Sequence, residues 1–357
     1  MERLSVNCIK IFYHPPIIPS TKPQLLASPI AKALLAILIL GLSLPAMAAC
    51  EDVDEDTVHA LKRQFYEVDY CQVNHLITAK QKDKWGYINE EGEVKIPFIY
   101  EGAERFADNG LAWVKLDQKF GMIDTTGQVI TPMRFDMASE NQGGRVTVRQ
   151  GNQIGYLDDK GNIAIPLEYS YGADFEDGYA VVGKTDATGD AHYGIIDKNN
   201  RVVVPLIYDF VADFSDGLSS VGIKVGNGMQ YGYINQAGKL ITPMTYDDAY
   251  DMVDGFAAVM KDKKWGYINK QGKVAIPLQY DDVWDFIQGT AVVKKADKYG
   301  VINQKNRLII PFEYALITHG DEDNTFDVEK DGESYVINQK NQRIKLQDDN
   351  EASDAYY

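Results

Sequence analysis

A glycine followed eleven residues later by a proline recurs seven times, at Gly86/Pro97, Gly121/Pro132, Gly155/Pro166, Gly194/Pro205, Gly232/Pro243, Gly266/Pro277 and Gly300/Pro311. Successive glycines lie 35, 34, 39, 38, 34 and 34 residues apart, and a degenerate eighth copy puts Tyr335 in the glycine's place and Leu346 in the proline's. Repetition at this period makes each unit one supersecondary element that cannot bury its apolar face alone, so stability comes from stacking neighbours. The chain must therefore fold as a tandem array. Its ligand is not written in the repeat.

Each copy reads as a hairpin. Lys84-Trp85-Gly86-Tyr87-Ile88-Asn89 forms a glycine strand, Glu90-Glu91-Gly92 a polar turn, and Val94-Lys95-Ile96-Pro97 a proline strand. The second residue after the glycine is aliphatic in every copy (Ile88, Ile123, Leu157, Ile196, Ile234, Ile268, Ile302, Ile337), which marks it as core-facing. The next is Asn or Asp, and three further on comes Gly or Asn. Gly and Asn tolerate positive φ, and Asx side chains bond nearby backbone at turns, so one turn geometry repeated eight times is expected. The proline ends its strand because it cannot donate to a ladder. An aromatic ring stands three residues beyond it (Tyr100, Phe135, Tyr169, Tyr208, Tyr246, Tyr280, Tyr314), and packing of that ring over the glycine is the expected reason for the missing side chain. After a turn-rich loop holding Phe106, Phe175, Phe214, Met252 and Phe286, an opening strand alternates as in Ala112/Val114 and Ala180/Val182.

Opening, glycine and proline strands together give an all-β tandem array of eight three-stranded antiparallel meanders of about 34 residues, closed at its end by Arg343-Ile344-Lys345-Leu346. A three-stranded unit of this length favours an open twisted β-array or solenoid; the alternative is a β-propeller, whose blades carry four strands.

The string Lys-Trp-Gly-Tyr-Ile-Asn at 84–89 and 264–269, with the turn glycine, the Ile-Pro end and the later Tyr-Asp pair, resembles the WG (KWG-type) repeat of bacterial proteins. The resemblance covers roughly Gln81 to Leu346 and implies an exported or surface-associated interaction scaffold with no general catalytic residues. Tryptophan stands before the glycine only at Trp85 and Trp265; Phe120, Ile154, Tyr193, Tyr231 and Tyr299 replace it elsewhere.

The N-terminal region reads as a leader. The apolar run Ala33–Leu44 follows Lys32 and is broken by Pro45, after which Ala46-Met47-Ala48 offers small residues for cleavage. Its dozen apolar residues are too few to span a membrane, which takes about 20. Residues 1–48 are therefore expected to be a signal peptide, 49–74 a capping segment with a short helix, 75–346 the repeat domain, and 347–357 a disordered acidic tail. Helical spacing of Val58, Leu61, Phe65 and Val68 places the helix. A periplasmic or secreted protein follows, with a structural disulfide between Cys50 and Cys71 in an oxidising compartment. The alternative, from Met47-Ala48-Ala49-Cys50, is an outer-membrane lipoprotein anchored through Cys50.

The formal charge of −16 becomes about −19 without residues 1–49, a surface that repels phosphate backbones and anionic membranes. No nucleic-acid partner is expected. Paired acids such as Asp247-Asp248 and Asp281-Asp282 suggest a glycosidase at first sight, but their slot recurs as Glu101, Asp136 and Asp209, as a turn residue's would. The acidic loops Gly320–Asn324 and Asp186–Asp190 lack EF-hand spacing and read as solvated. The histidines are scattered and no nucleophile elbow or phosphate loop appears, so neither an enzyme nor a metal or cofactor is expected. Departures from the repeat mark candidate binding residues: Trp113 on the outward face of its strand, and Tyr250 and Trp284 in a loop slot held elsewhere by Glu104, Ser139, Ala173 and Ala212. Two longer hairpin turns, Gly183–Tyr193 and Gly222–Tyr231, are further candidates. A non-enzymatic scaffold contacting a protein or cell-envelope component is the expected function, and a glycan-binding module using the three exposed rings is the alternative.

Overall fold

The computed structural model describes residues 51–344 apart from Glu140 and Gln142. The signal peptide, Cys50, Leu346 and the acidic tail lie outside the described residues. These form eight antiparallel sheets of three to five strands with neighbours in sequence order. We number the sheets I to VIII: Glu51–Tyr100, Gly102–Phe135, Met137–Tyr169, Tyr171–Tyr208, Phe210–Asn235, Asp248–Tyr280, Asp282–Tyr314 and Leu316–Ile344. By contact density the chain divides into two compact units: Met1–Asn141 with Val148–Gly151 and Leu157–Ile163, and Gln142–Thr147 with Asn152–Tyr156 and Ala164–Tyr357.

The meander has one more strand than the sequence suggested. In sheet II a short leading strand, Gly102–Ala103, precedes the opening strand Leu111–Leu116, the glycine strand Lys119–Asp124 and the proline strand Val129–Phe135. The leading strand comes directly after the aromatic, in a stretch whose composition signals only a loop. It is held there because the intervening acid reaches ahead to the hairpin turn. Glu101, Asp136, Asp209, Asp247 and Asp281 each accept the backbone N–H of a residue 15 or 17 positions later, at 2.6 to 2.9 Å. The recurring acid is thus a turn tether. Sheet V keeps three strands, its proline segment being reduced to the bridges Tyr231↔Tyr246 and Ile234↔Leu240. There the Thr242 hydroxyl accepts the Tyr233 N–H at 2.9 Å.

The Gly–Pro spacing has a direct geometric origin. In sheet I, Trp85 pairs with Tyr100 and Tyr87 with Ile96, so the single residue Gly86 faces three, Pro97 to Ile99. The proline strand arches over the glycine in a bulge. A Cβ on Gly86 would lie 2.7 Å from the Ile96 carbonyl oxygen, and on Gly266 2.5 Å from that of Ile276. The expectation that the ring packs over the glycine is therefore corrected: backbone does. The ring instead stands across from the residue before the glycine, as in Trp265↔Tyr280 and Tyr299↔Tyr314. From there the hydroxyls of Tyr169, Tyr280 and Tyr314 donate to Asn200, Asn306 and Asn341 in the next repeat's turn, at 2.5 to 2.7 Å.

The turn itself is uniform. Asp124, Asp158, Asp197, Asn235, Asn269, Asn303 and Asn338 each accept, through Oδ1, the N–H groups two and four residues on. Asn89 accepts from Glu93 alone. The residue three beyond the Asx has φ between 58° and 84° in all eight copies, which explains the Gly or Asn found there.

Consecutive residues of a glycine strand are buried on opposite sides. Tyr267 packs in a cluster with Phe286 and Val293 of sheet VII, while Ile268 packs with Leu218 and Tyr233 of sheet V. Ile302 and Val301 divide in the same way between sheets VI and VIII. A strand buried on both faces carries consecutive apolar residues rather than strict alternation. At the N-terminal end the second face is covered by a helix, Glu55–Leu61, capped by the Asp54 carboxylate on the Thr57 N–H. Its Val58 and Leu61 meet Ile77, Ala79 and Ile88 of sheet I. The helix is shorter than the apolar spacing suggested. Phe65 and Val68 still join this core, Val68 from the strand Glu67–Val73.

Replacing Gly86 by Ala is expected to destabilise the protein by about 1–3 kcal/mol, as forced overpacking does. Gly102→Ala, whose Cβ would meet only the Lys115 Cβ at 3.6 Å, should be near neutral. Chemical denaturation midpoints of the two variants provide the comparison.

Candidate interaction surface

Between the paired parts of the leading and opening strands, sheets II and IV to VII each present one side chain on a tightly held backbone. In sheet VII the Trp284 N–H donates to the Val292 carbonyl at 2.9 Å, and the Trp284 carbonyl accepts the hydroxyl of the buried Tyr267 at 2.6 Å. Two residues on, Phe286 is 1% exposed and packs on the Tyr267 ring, centroids 4.9 Å apart. Asp285 stands between these anchors and is half-buried. The same clamp recurs in sheet IV, where Tyr156 donates to the Ala173 carbonyl at 2.8 Å and Phe175 packs on Tyr156, leaving Asp174 between. Tyr233 donates likewise to the Tyr250 carbonyl at 2.6 Å, ahead of Asp251. For the loop of sheet V the donor position falls on the glycine strand of sheet IV, which has Ile195 in place of that tyrosine, and Ser219 supplies the hydroxyl to the Ala212 carbonyl at 2.6 Å, ahead of Asp213.

Four consecutive repeats thus place a carboxylate at one position: Asp174, Asp213, Asp251 and Asp285. Partial withdrawal from water pushes Asp213, Asp251 and Asp285 above the usual carboxylate range, and neighbouring charge adds to it: Glu176 and Asp251 act on Asp213, and Asp251 on Asp285. Asp285 rises to about 6. Asp174 accepts the Thr147 hydroxyl. In sheet II the position is Arg105, which ion-pairs with Asp69 at 2.5 Å, and in sheet VIII it is His319.

Of the residues nominated from sequence, Trp284 belongs to this loop and Tyr250 to the bulge of the strand Asp248–Val253, each preceding a carboxylate of the row. Both are half-buried: Tyr250 lies 4.9 Å from the Trp265 ring, and Trp284 6.5 Å from that of Tyr299. Burial also drives the Tyr250 hydroxyl up to about 12. Trp113 is elsewhere, half-buried on the opening strand of sheet II opposite Met122. Cys71 is buried on Glu67–Val73 and faces Asp52 across the ladder. The long hairpins are continuous ladders reaching Thr185↔Ala191 and Val225↔Gly228. At the tip of the first, Asp186 accepts the N–H groups of Thr188 and Asp190 and the Thr188 hydroxyl, which holds its carboxyl down at about 2. In the other acidic loop, Asp323 accepts the Gln288 amide. Among the described residues no three His, Cys, Asp or Glu side chains are arranged to hold a metal ion, and no helix is long and apolar enough to cross a membrane.

The carboxylate row escaped the sequence reading although a signal existed: the residue before Phe175, Phe214, Met252 and Phe286 is Asp each time. Its stability effect follows from the sign of the shift. An acid with a raised folded-state pKa favours the fold only while protonated, so the contribution is present at low pH and lost as pH rises through about 6 for Asp285. Asp285→Asn should match the wild type in thermal midpoint near pH 4 and exceed it above pH 7, measured by a pH series of melts.

The model of the WG containing repeat matches residues 85–120, 120–153, 154–186, 193–223, 231–265, 265–299 and 299–333. No curated protein matches this chain. Among solved structures, Kluyveromyces lactis Hsv2p is similar with a TM-score of 0.30 and 11% identity, over 72% of this chain and 94% of that one. A eukaryotic initiation factor gives a TM-score of 0.27 and 10% identity, over 59% and 76%. Seven tandem matches, each starting at or next to the residue before a repeat glycine, cover well over half of the sequence, and the chain belongs to the WG-repeat family.

Proposed function

We propose that this protein is an exported, non-enzymatic scaffold that holds an extended cationic segment of a protein or cell-envelope partner. The observation that carries this reading is the row Asp174, Asp213, Asp251 and Asp285. Catalysis needs a given acid once, whereas a partner lying along the repeats meets the same group in each. Burial first, and then the charge of Asp251, raise Asp213 and Asp285, and a bound cation relieves that like-charge contribution, so the row favours positive ligands. Tyr250 and Trp284 add ring faces beside two of the carboxylates, suited to Lys or Arg. Export rests on the leader-like residues 1–48, and a periplasmic or secreted location accommodates a Cys50–Cys71 disulfide.

Fluorescence anisotropy with labelled octalysine tests the row. The combined variant D174N/D213N/D251N/D285N should bind at least about tenfold more weakly, and wild-type binding should fall with added salt. Equal binding by the variant would remove the basis for the reading. Cell fractionation with N-terminal sequencing tests export: a chain starting at Ala49 outside the cytoplasm is expected, and an intact cytoplasmic chain would contradict it.

A further inference from the structure

The repeat turns carry an apolar row of their own. The residue eight after each repeat glycine is aliphatic: Val94, Val129 and Ile163 in sheets I to III, and Val202, Leu240, Val274 and Leu308 in sheets IV to VII. All seven are between 42% and 56% exposed. A single exposed aliphatic is ordinary, but one at the same position of every repeat forms a row. Each turn rests on the proline segment of the sheet before it, which brings successive members together. The Thr131 hydroxyl donates to the Gly161 carbonyl at 2.6 Å. A Cβ on Gly238 would strike the Val203 carbonyl oxygen, and one on Gly272 would lie 2.7 Å from the Ile241 Cγ2.

Charge divides this row in two. Counted from the Asx residue to the aliphatic one, the turns of sheets I to III hold six acids and one base, and those of sheets IV to VII one acid and seven bases. Lys95, just beyond the first turn, is taken by Glu93 at 2.7 Å. The residue before the aliphatic is Glu93, Gln128 or Asn162 in the first set, and Arg201, Lys239, Lys273 or Arg307 in the second, all four bases being exposed. Among the described residues no ion pair engages any of these four, whereas Lys264 and Lys270 of the same region pair with Asp281 and Asp216.

We propose that the protein self-associates through these turns, the basic set of one copy docking on the acidic set of a second copy with their exposed aliphatic residues in contact. An apolar centre flanked by complementary charge is the make-up of a specific interface. A lipid surface or an acidic peptide would account for the basic set alone and leave Val94, Val129 and Ile163 exposed beside carboxylates. A second copy complements both sets from one sequence, and its turns share one geometry and one repeat position with those they meet. At physiological ionic strength charges beyond about 8 Å are largely screened, so the local sign of the turns outweighs the formal charge of −16. The inference makes no use of the carboxylate row, so either can fail alone.

Sedimentation velocity of the intact chain from about 1 to about 100 μM tests it. The wild type should associate, and less so as salt is raised to about 0.5 M. Two charge reversals at exposed positions separate these turns from other contacts: R201E/K239E/K273E/R307E makes the second set acidic, and E91K/E93K/D159K makes the first set basic. Each variant alone should associate at least about tenfold more weakly, and an equal mixture of the two should recover association, because each then supplies what the other lacks. V202S/L240S/V274S/L308S, with charge unchanged, should weaken association severalfold. The proposal is overturned if the wild type stays monomeric throughout, or if the mixture of reversed variants does not recover. Loss of association in D174N/D213N/D251N/D285N would move the acidic partner to the carboxylate row and overturn it too. So would cosedimentation with phosphatidylglycerol vesicles by a wild type that does not self-associate, which assigns the basic set to a lipid surface.

Discussion

The close backbone approach between the repeat glycine and the proline strand arched above it is what the rest of the structure depends on. Three residues of the proline strand face a single glycine, and the carbonyl before the proline occupies the space of a side chain. Proline suits the crest because it has no N–H to leave unpaired, and glycine suits the floor because any Cβ would collide. The bulge turns the strand so that the aromatic after it meets the residue before the glycine. In three copies its hydroxyl then fastens the next repeat's turn. A motif of two residues eleven apart thus sets both the shape of one sheet and its attachment to the following one.

Burial of the glycine strand on both faces makes each sheet dependent on two neighbours, and the ends show how that dependence is met. Sheet I has its outer face covered by Val58 and Leu61 of the helix. In sheet VIII, Ile337 faces sheet VII, and Tyr335 and Val336 remain half-buried. With both faces of the inner sheets occupied by packing, the places left for recognition are rims and turns. The carboxylate row is of this kind, its members clamped between a buried hydroxyl contact and a buried ring.

Much of this was legible from residue types. Eight Asx turns, positive φ at the Gly or Asn position, and an aliphatic core position two after the glycine all follow from local chemistry that acts within six residues. The leading strand was not legible, because a two-residue element such as Gly102–Ala103 has no periodicity, and the tether that holds it runs from Glu101 to Gln118. The ring packing was misread for a similar reason: sequence gives the aromatic's spacing but not the bulge that redirects it. Trp113, Tyr250 and Trp284 stood out as large rings at variable positions, yet what distinguishes the loop of sheets IV to VII is the small carboxylate beside them.

The central claim, that the sheets are stabilised through nearest neighbours locked by the glycine crossing, is most directly tested by native-state hydrogen exchange on the full chain carrying Gly266→Ala. The lesion lies in sheet VI. The account predicts reduced protection of glycine-strand amides in sheets V, VI and VII, with those of sheets I and II unchanged. Loss confined to sheet VI, or spread equally over all eight sheets, would contradict it.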